Sequence, residues 1–136
     1  MLSLLFIFLF GIAEGAKDIL SFRYSKSIFS NYNKNFWDPQ ASWINKYKKN
    51  KLNSSPNPWY YFGLYKPRYK EKFPYSTTFL VFLTDGWHLC KGFSLLFLFL
   101  SLVLYSPLLS IWGDIWIYFI VYSMSFNLFE NKLFHK

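Results

Sequence analysis

The feature that most constrains this chain is where its apolar residues stop. They fall into three blocks, at about 2–13, 79–105 and 107–129, and almost all the positive charge lies between the first and the second. A hydrocarbon core about 30 Å thick is crossed by roughly 20 mainly apolar helical residues. The second and third blocks have that length, whereas the first reaches it only by running on through Glu14 and Asp18 to Phe22. In a chain of 136 residues, a water-soluble fold would have to bury LLFLFLSLVLY (95–105) and IWIYFIVY (115–122) in a very small core. The pattern predicts an all-α membrane protein with three transmembrane helices, an interfacial amphipathic helix and an irregular basic-aromatic loop.

The whole chain, 1–136, reads as a single membrane domain. Helix 1 is expected over about 2–30, leaving the bilayer along its surface, because Ile19, Phe22 and Phe29 recur near helical spacing with Arg23 and Lys26 between them. Asp38-Pro39 is a helix-start signature that opens the interfacial helix, about 38–51. Asn53-Ser54-Ser55-Pro56-Asn57-Pro58, then Pro67 and Pro74, make 52–76 a loop. Helix 2 is expected over about 77–105 and helix 3 over about 108–129, joined at Ser106-Pro107, with a tail at 130–136. Residues 1–16 lack the basic n-region of a signal peptide, which argues against cleavage.

Orientation follows from charge. Residues 23–72 hold eleven Lys or Arg against two acids, Asp38 and Glu71, and the tail adds Lys132 and Lys136. The positive-inside tendency places this segment and the C-terminus in the cytoplasm and the N-terminus outside.

Within FLTDGWHLCKGF (82–93), Asp85, His88 and Lys91 stand three residues apart and share one face of the expected helix 2. On helix 1, Glu14 and Asp18 share a face, with Lys17 beside them, at the depth expected for Asp85. Glu14, Asp18, Asp85, His88 and Lys91 therefore form an intramembrane polar cluster. Such groups turn inward because an ionised side chain facing lipid costs at least about 2.5–3.5 kcal/mol. One reading makes the cluster interhelical glue, with Lys91–Asp85 or Lys17–Asp18 pairs relayed through His88. The other makes Glu14, Asp18, Asp85 and His88 ligands of zinc, manganese or iron, with one carboxylate as base beside a metal-bound water. No cofactor is required by the first reading. A proton relay is a further use of the same groups. Cys90 cannot form an intrachain disulfide, and as the lone cysteine it leaves the redox compartment undecided.

The basic segment interleaves aromatics with its charges. Trp37, Trp43 and Tyr47, with Lys46, Lys48 and Lys49, suit contact with anionic lipid headgroups, each Lys worth about 1 kcal/mol near such a surface. Docking onto another membrane or peripheral protein is the second use. Nucleic acid ranks last, because the segment is tethered at both ends and carries no binding motif.

The stretches NFWDPQASWINKYKK and STTFLVFLTDGWHLCKGF together resemble a family of small bacterial membrane proteins carrying N-x-F-W-[DN]-P-x-x-S-W-x-N-K-Y and a later T-D-x-W-H. The likeness covers about 10–105 and is strongest at 36–47 and 84–88. It implies that the two stretches act as one unit, and it implies no reaction. The functional expectation is a non-enzymatic accessory or scaffold subunit of the membrane, its cytoplasmic loop meeting lipid or a partner. The alternative is a membrane-embedded metal-dependent hydrolase acting on a lipid-like substrate at the inner leaflet.

Overall fold

The computed structural model describes residues 1–47 and 71–134. Lys48 and Lys49, the end of the expected interfacial helix and most of the expected loop lie outside the described residues. Within the described residues the chain is helical, without strands, as the sequence predicts. Its three long helices are α1 (Leu2–Phe22), α4 (Gly86–Val103) and α5 (Ile111–Leu128). Between α1 and α4 lie two one-turn helices, α2 (Lys34–Trp37) and α3 (Pro39–Ser42). A π-helical turn, Phe129–Leu133, extends α5.

α1 lies between α4 and α5 and packs against both. Its partners fix the directions. Trp87 Nε1, at the start of α4, donates to Ser21 Oγ at the end of α1 (2.8 Å), so α4 runs antiparallel to α1. Tyr118 hydrogen-bonds Ser3, Ser125 faces Gly11, and Arg23 meets Glu130 at 3.0 Å, so α5 runs parallel to it. The end of α1, the start of α4 and the end of α5 thus share one end of the bundle.

α1 approaches α5 closely because Gly11 and Gly15, four apart, present no side chain there. A Cβ on Gly11 would stand 1.9 Å from Ser125 Oγ and 2.9 Å from the Tyr122 carbonyl oxygen. One on Gly15 would stand 3.1 Å from the Phe126 carbonyl oxygen. Small residues four apart on a helix let a second backbone approach closely. The G-x-x-x-G spacing that permits it stands in the apolar N-terminal stretch.

Four expected boundaries are corrected. α1 ends at Phe22 instead of near 30, and two 3₁₀ turns, Tyr24–Lys26 and Ile28–Asn31, follow it. Each turn closes on its own carbonyls, with Ser27 and Ser30 hydroxyls bonding back three residues, a use of serine that competes with helix. The expected interfacial helix starts at Asp38, whose side chain accepts from Gln40 N (2.9 Å), yet it holds α geometry only to Ser42 before a 3₁₀ turn at Trp43–Lys46. The largest shift is in helix 2, which starts at Gly86 because Asp85 is its N-cap. Residues before it fold back as a 3₁₀ turn, Val81–Leu83, whose Phe82 lies against Gly92. α5 starts at Ile111, three residues later than expected, because Ser110 caps it and Asp114 holds the preceding turn.

α4 and α5 bury small and polar residues and expose large apolar ones, whereas α1 also buries Ile7, Ile19 and Leu20. The buried residues of α4 are Gly86, Cys90, Ser94 and Ser101, and those of α5 are Asp114 and Ser125. Phe99, Leu102, Trp112, Trp116, Phe119 and Met124 are exposed. Among the described residues one helix, α4, is long and apolar enough to cross a membrane. α1 carries Glu14, Lys17 and Asp18, and α5 carries Asp114 and Asn127, which lower their apolar character.

Candidate functional site

The polar groups gather at the bundle end where α4 begins. Asp85 is 2% exposed and has an extended backbone, the cap geometry. Its carboxylate accepts from His88 N (2.9 Å) and faces His88 Nδ1 with both oxygens, at 2.9 and 2.7 Å. Thr84 Oγ1 stands 3.0 Å from Asp85 Oδ2 and 2.7 Å from the Val81 carbonyl oxygen. In the neutral imidazole, a carboxylate facing Nδ1 favours the tautomer with its proton there and Nε2 as the acceptor. Chemically this is an acceptor nitrogen of fixed orientation at a half-buried site, able to take a proton or a hydrogen bond.

The 23–47 segment closes over this end. Trp37 stacks on Phe29 (4.8 Å, 23°) and covers Gly86 so tightly that a Cβ there would lie 2.4 Å from Trp37 Cε3. Asn45 spends both amide hydrogens on carbonyls, donating to Asn35 O and to Thr84 O, the latter at 3.1 Å. The 33–47 stretch and the start of α4 are therefore in direct contact. Trp37, partly buried, fills the joint. Trp43 is exposed, Lys46 sits over the Tyr47 ring at 5.7 Å, and Tyr24, packed against the apolar core, has its phenol pushed up chiefly by burial and also by the Asp38 charge.

A second polar group lies deeper, between α1 and α4. Lys17 pairs with Glu14, and Lys91 Nζ stands 3.9 Å from Glu14 Oε1, a buried oxygen without a hydrogen-bond partner. The expected Lys17–Asp18 and Lys91–Asp85 pairs are thus replaced by pairs to Glu14. The reason is register. With α4 starting at Gly86, Asp85 sits at the rim, while Glu14 is eight residues inside the end of α1, about 12 Å in.

The same shift dissolves the expected metal set. Glu14, Asp18, Asp85 and His88 do not converge, and among the described residues no group of three or more His, Cys, Asp or Glu is placed to hold a metal ion. Of the five residues of the polar cluster, Asp85 and His88 pair at the rim, Glu14 and Lys91 meet below it together with Lys17, and no ion pair ties Asp18 to either group. Cys90 is buried against Ile19 and Leu20 in the small apolar core between them.

Asp114 anchors the opposite end. Its carboxylate accepts from Tyr105 Oη (2.7 Å), Leu109 N (2.9 Å) and Leu108 N (3.1 Å), so one acid ties the α4–α5 turn. The hydrogen bond to Asp114 holds the Tyr105 phenol above its usual range. No protein-family model, curated protein or solved structure matches the chain.

Proposed function

We propose that this is a small integral membrane protein of three spans, a non-enzymatic scaffold that holds an aromatic, basic module at the cytoplasmic face. The observation that carries the reading is the polarity of α4 and α5: serines, an aspartate and a glycine face inward, with phenylalanine, leucine and tryptophan outside. A hydrocarbon solvent favours that arrangement, because the outer face meets acyl chains and polar groups find partners only between helices. At about 27 Å each, α4 and α5 nearly match the hydrocarbon thickness, and α1, at about 32 Å, exceeds it slightly.

Charge supports the orientation. Arg23, Lys26, Lys34, Lys46, Lys72 and Lys132 follow or join elements at the end where α1 finishes and α4 starts, whereas the Tyr105–Ser110 turn at the other end has none. On the positive-inside tendency the module end is cytoplasmic, with the N-terminus outside and the C-terminus inside. Anionic headgroups or an acidic partner surface suit the module's exposed lysines and rings. A metal-dependent hydrolase finds less support, since Asp85 and His88 meet but Glu14 and Asp18 do not join them.

The test is site-directed labelling in oriented bacterial membrane vesicles, after checking that the protein resists alkaline carbonate extraction. Ser106→Cys should react with an impermeant maleimide from outside and Ser25→Cys from the cytoplasmic side. Extraction by carbonate, or both cysteines reacting from one side, would sink the reading.

A further inference from the structure

The chain between Lys72 and Asp85 is the part of the molecule whose surface the scaffold reading leaves unexplained. It is pinned at both ends to the module. Ser76, fully buried, donates from Oγ to the Lys46 carbonyl (2.7 Å) and accepts from Lys72 N (3.1 Å). At the other end the Thr84 carbonyl is held by Asn45. Between these pins the chain leaves the module and runs beside α4. Phe82 Cβ lies 3.0 Å from the position a Gly92 Cβ would take, and Gly92 is six residues past the start of α4, about 9 Å along its axis. The segment then returns to Thr84 and Asp85 at the rim before α4 begins. It dips and comes back.

Its composition and hydrogen bonding fit such a dip into lipid. From Phe73 to Thr84 no side chain carries a charge, and Tyr75, Phe79 and Leu83, four residues apart, are 64%, 79% and 53% exposed. Non-helical backbone at membrane depth must satisfy its own polar groups. Here Thr78 N and Leu80 N both donate to the Tyr75 carbonyl (3.1 and 2.9 Å), Leu83 N to Leu80 O (3.1 Å) and Thr84 N to Val81 O (3.0 Å). Tyr75 adopts a left-handed φ of 63°, held where Glu71 accepts its N–H at 3.1 Å, so the entry to the dip is a fixed bend. Exposed Lys72 stands at that entry, and α4 beyond the exit exposes Phe93, Leu96 and Phe99.

We infer that residues 73–84 form a re-entrant wedge that inserts Phe79 and Leu83 into the cytoplasmic leaflet, with Tyr75 and Lys72 at the level of anionic headgroups. The occupant of this surface is lipid. Burying these rings at the headgroup–acyl boundary is the way interfacial segments bind, and basic residues at the rim add attraction to anionic lipid. The inference rests on the membrane reading above, and the test separates the two.

Phe79→Cys is labelled with an environment-sensitive fluorophore in vesicles of zwitterionic and anionic phospholipid. The wild type, whose Cys90 is buried, serves as the labelling blank. Phe119→Cys on α5 reports on the bundle, and Leu83→Cys repeats the reading within the wedge. The expected result is that label at 79 is quenched about twofold more by a nitroxide near the headgroup than by aqueous iodide, while label at 119 is quenched by a nitroxide deep in the acyl chains. Iodide quenching at 79 with nitroxide quenching at 119 would overturn the wedge and keep the membrane reading. Shielding at 79 from both quenchers would mean that protein covers the site, which also overturns it. Absence of nitroxide quenching at both positions would remove the membrane reading and the wedge together.

Discussion

Replacing Gly86 by alanine tests whether the 23–47 segment and the start of α4 are built as one joint. The added methyl would stand 2.4 Å from Trp37 Cε3, 2.9 Å from Cζ3 and 3.0 Å from Cδ2. Carbon pairs settle at about 3.5–4.0 Å, so the indole must retreat by about 1.2 Å or more. It has little room, because Phe29 stacks on it at 4.8 Å and Phe36 meets its edge at 5.2 Å. Overpacking of this kind costs about 1–3 kcal/mol. Alanine recovers at most about 0.5–1 kcal/mol of backbone entropy, and less at a first helical position. A net loss of about 1–2 kcal/mol is expected, read as a lower midpoint in denaturant unfolding of the detergent-solubilised protein followed by far-UV circular dichroism. The double-mutant cycle is the sharper measurement. Trp37→Phe removes the benzo-ring atoms nearest the methyl, so Gly86→Ala in that background should cost less than about 0.5 kcal/mol. Equal cost in both backgrounds, or none in the wild type, would refute the joint.

At Gly11, alanine should cost about 1–3 kcal/mol by driving its methyl onto Ser125 Oγ and the Tyr122 carbonyl, and Ser125→Ala should recover only part, since the backbone contact stays. Asp85→Ala should destabilise by about 1 kcal/mol through the lost cap, whereas Asp85→Asn, an equally good cap, should stay near wild type. If the two variants unfold alike, the cap is not what Asp85 provides. Chelation should leave the unfolding midpoint unchanged, and a stoichiometric metal that disappears in His88→Ala would contradict the geometry. Glu71 titrates below its ordinary range because Thr77 donates to it. Its folded pKa being depressed, its stabilisation is present above the unfolded value of about 4.3 and is lost as pH falls through the lower folded value. Protection of the Tyr75 amide, corrected for intrinsic exchange, should fall across that acid window in the wild type and be flat in Glu71→Gln.

What the sequence determined by itself was the helical class, the neutral turn at 105–110 and the gathering of charge at one end. These are one-dimensional properties: apolar runs set helices, and the count of lysines around them sets the end. The carboxylates of Asp85 and Glu14 lie largely buried, the arrangement that the cost of turning a charge to an apolar surrounding favours, whereas the Lys91 side chain stays 42% exposed. Their pairing was not legible. Asp85 reads as a helical residue by spacing, and only the fold-back of 77–84 makes it a cap, which moves it toward the rim and away from Glu14. That fold-back is invisible in STTFLVFL, where β-branched and aromatic residues suit a helix, a turn or a strand until Asn45 and Gly92 offer contacts from far along the chain. Trp37 is the same case. An aromatic beside a basic run reads as a surface ring, and it becomes the plug of the joint only because Gly86, some fifty positions later, leaves a space that nothing but a missing side chain could leave.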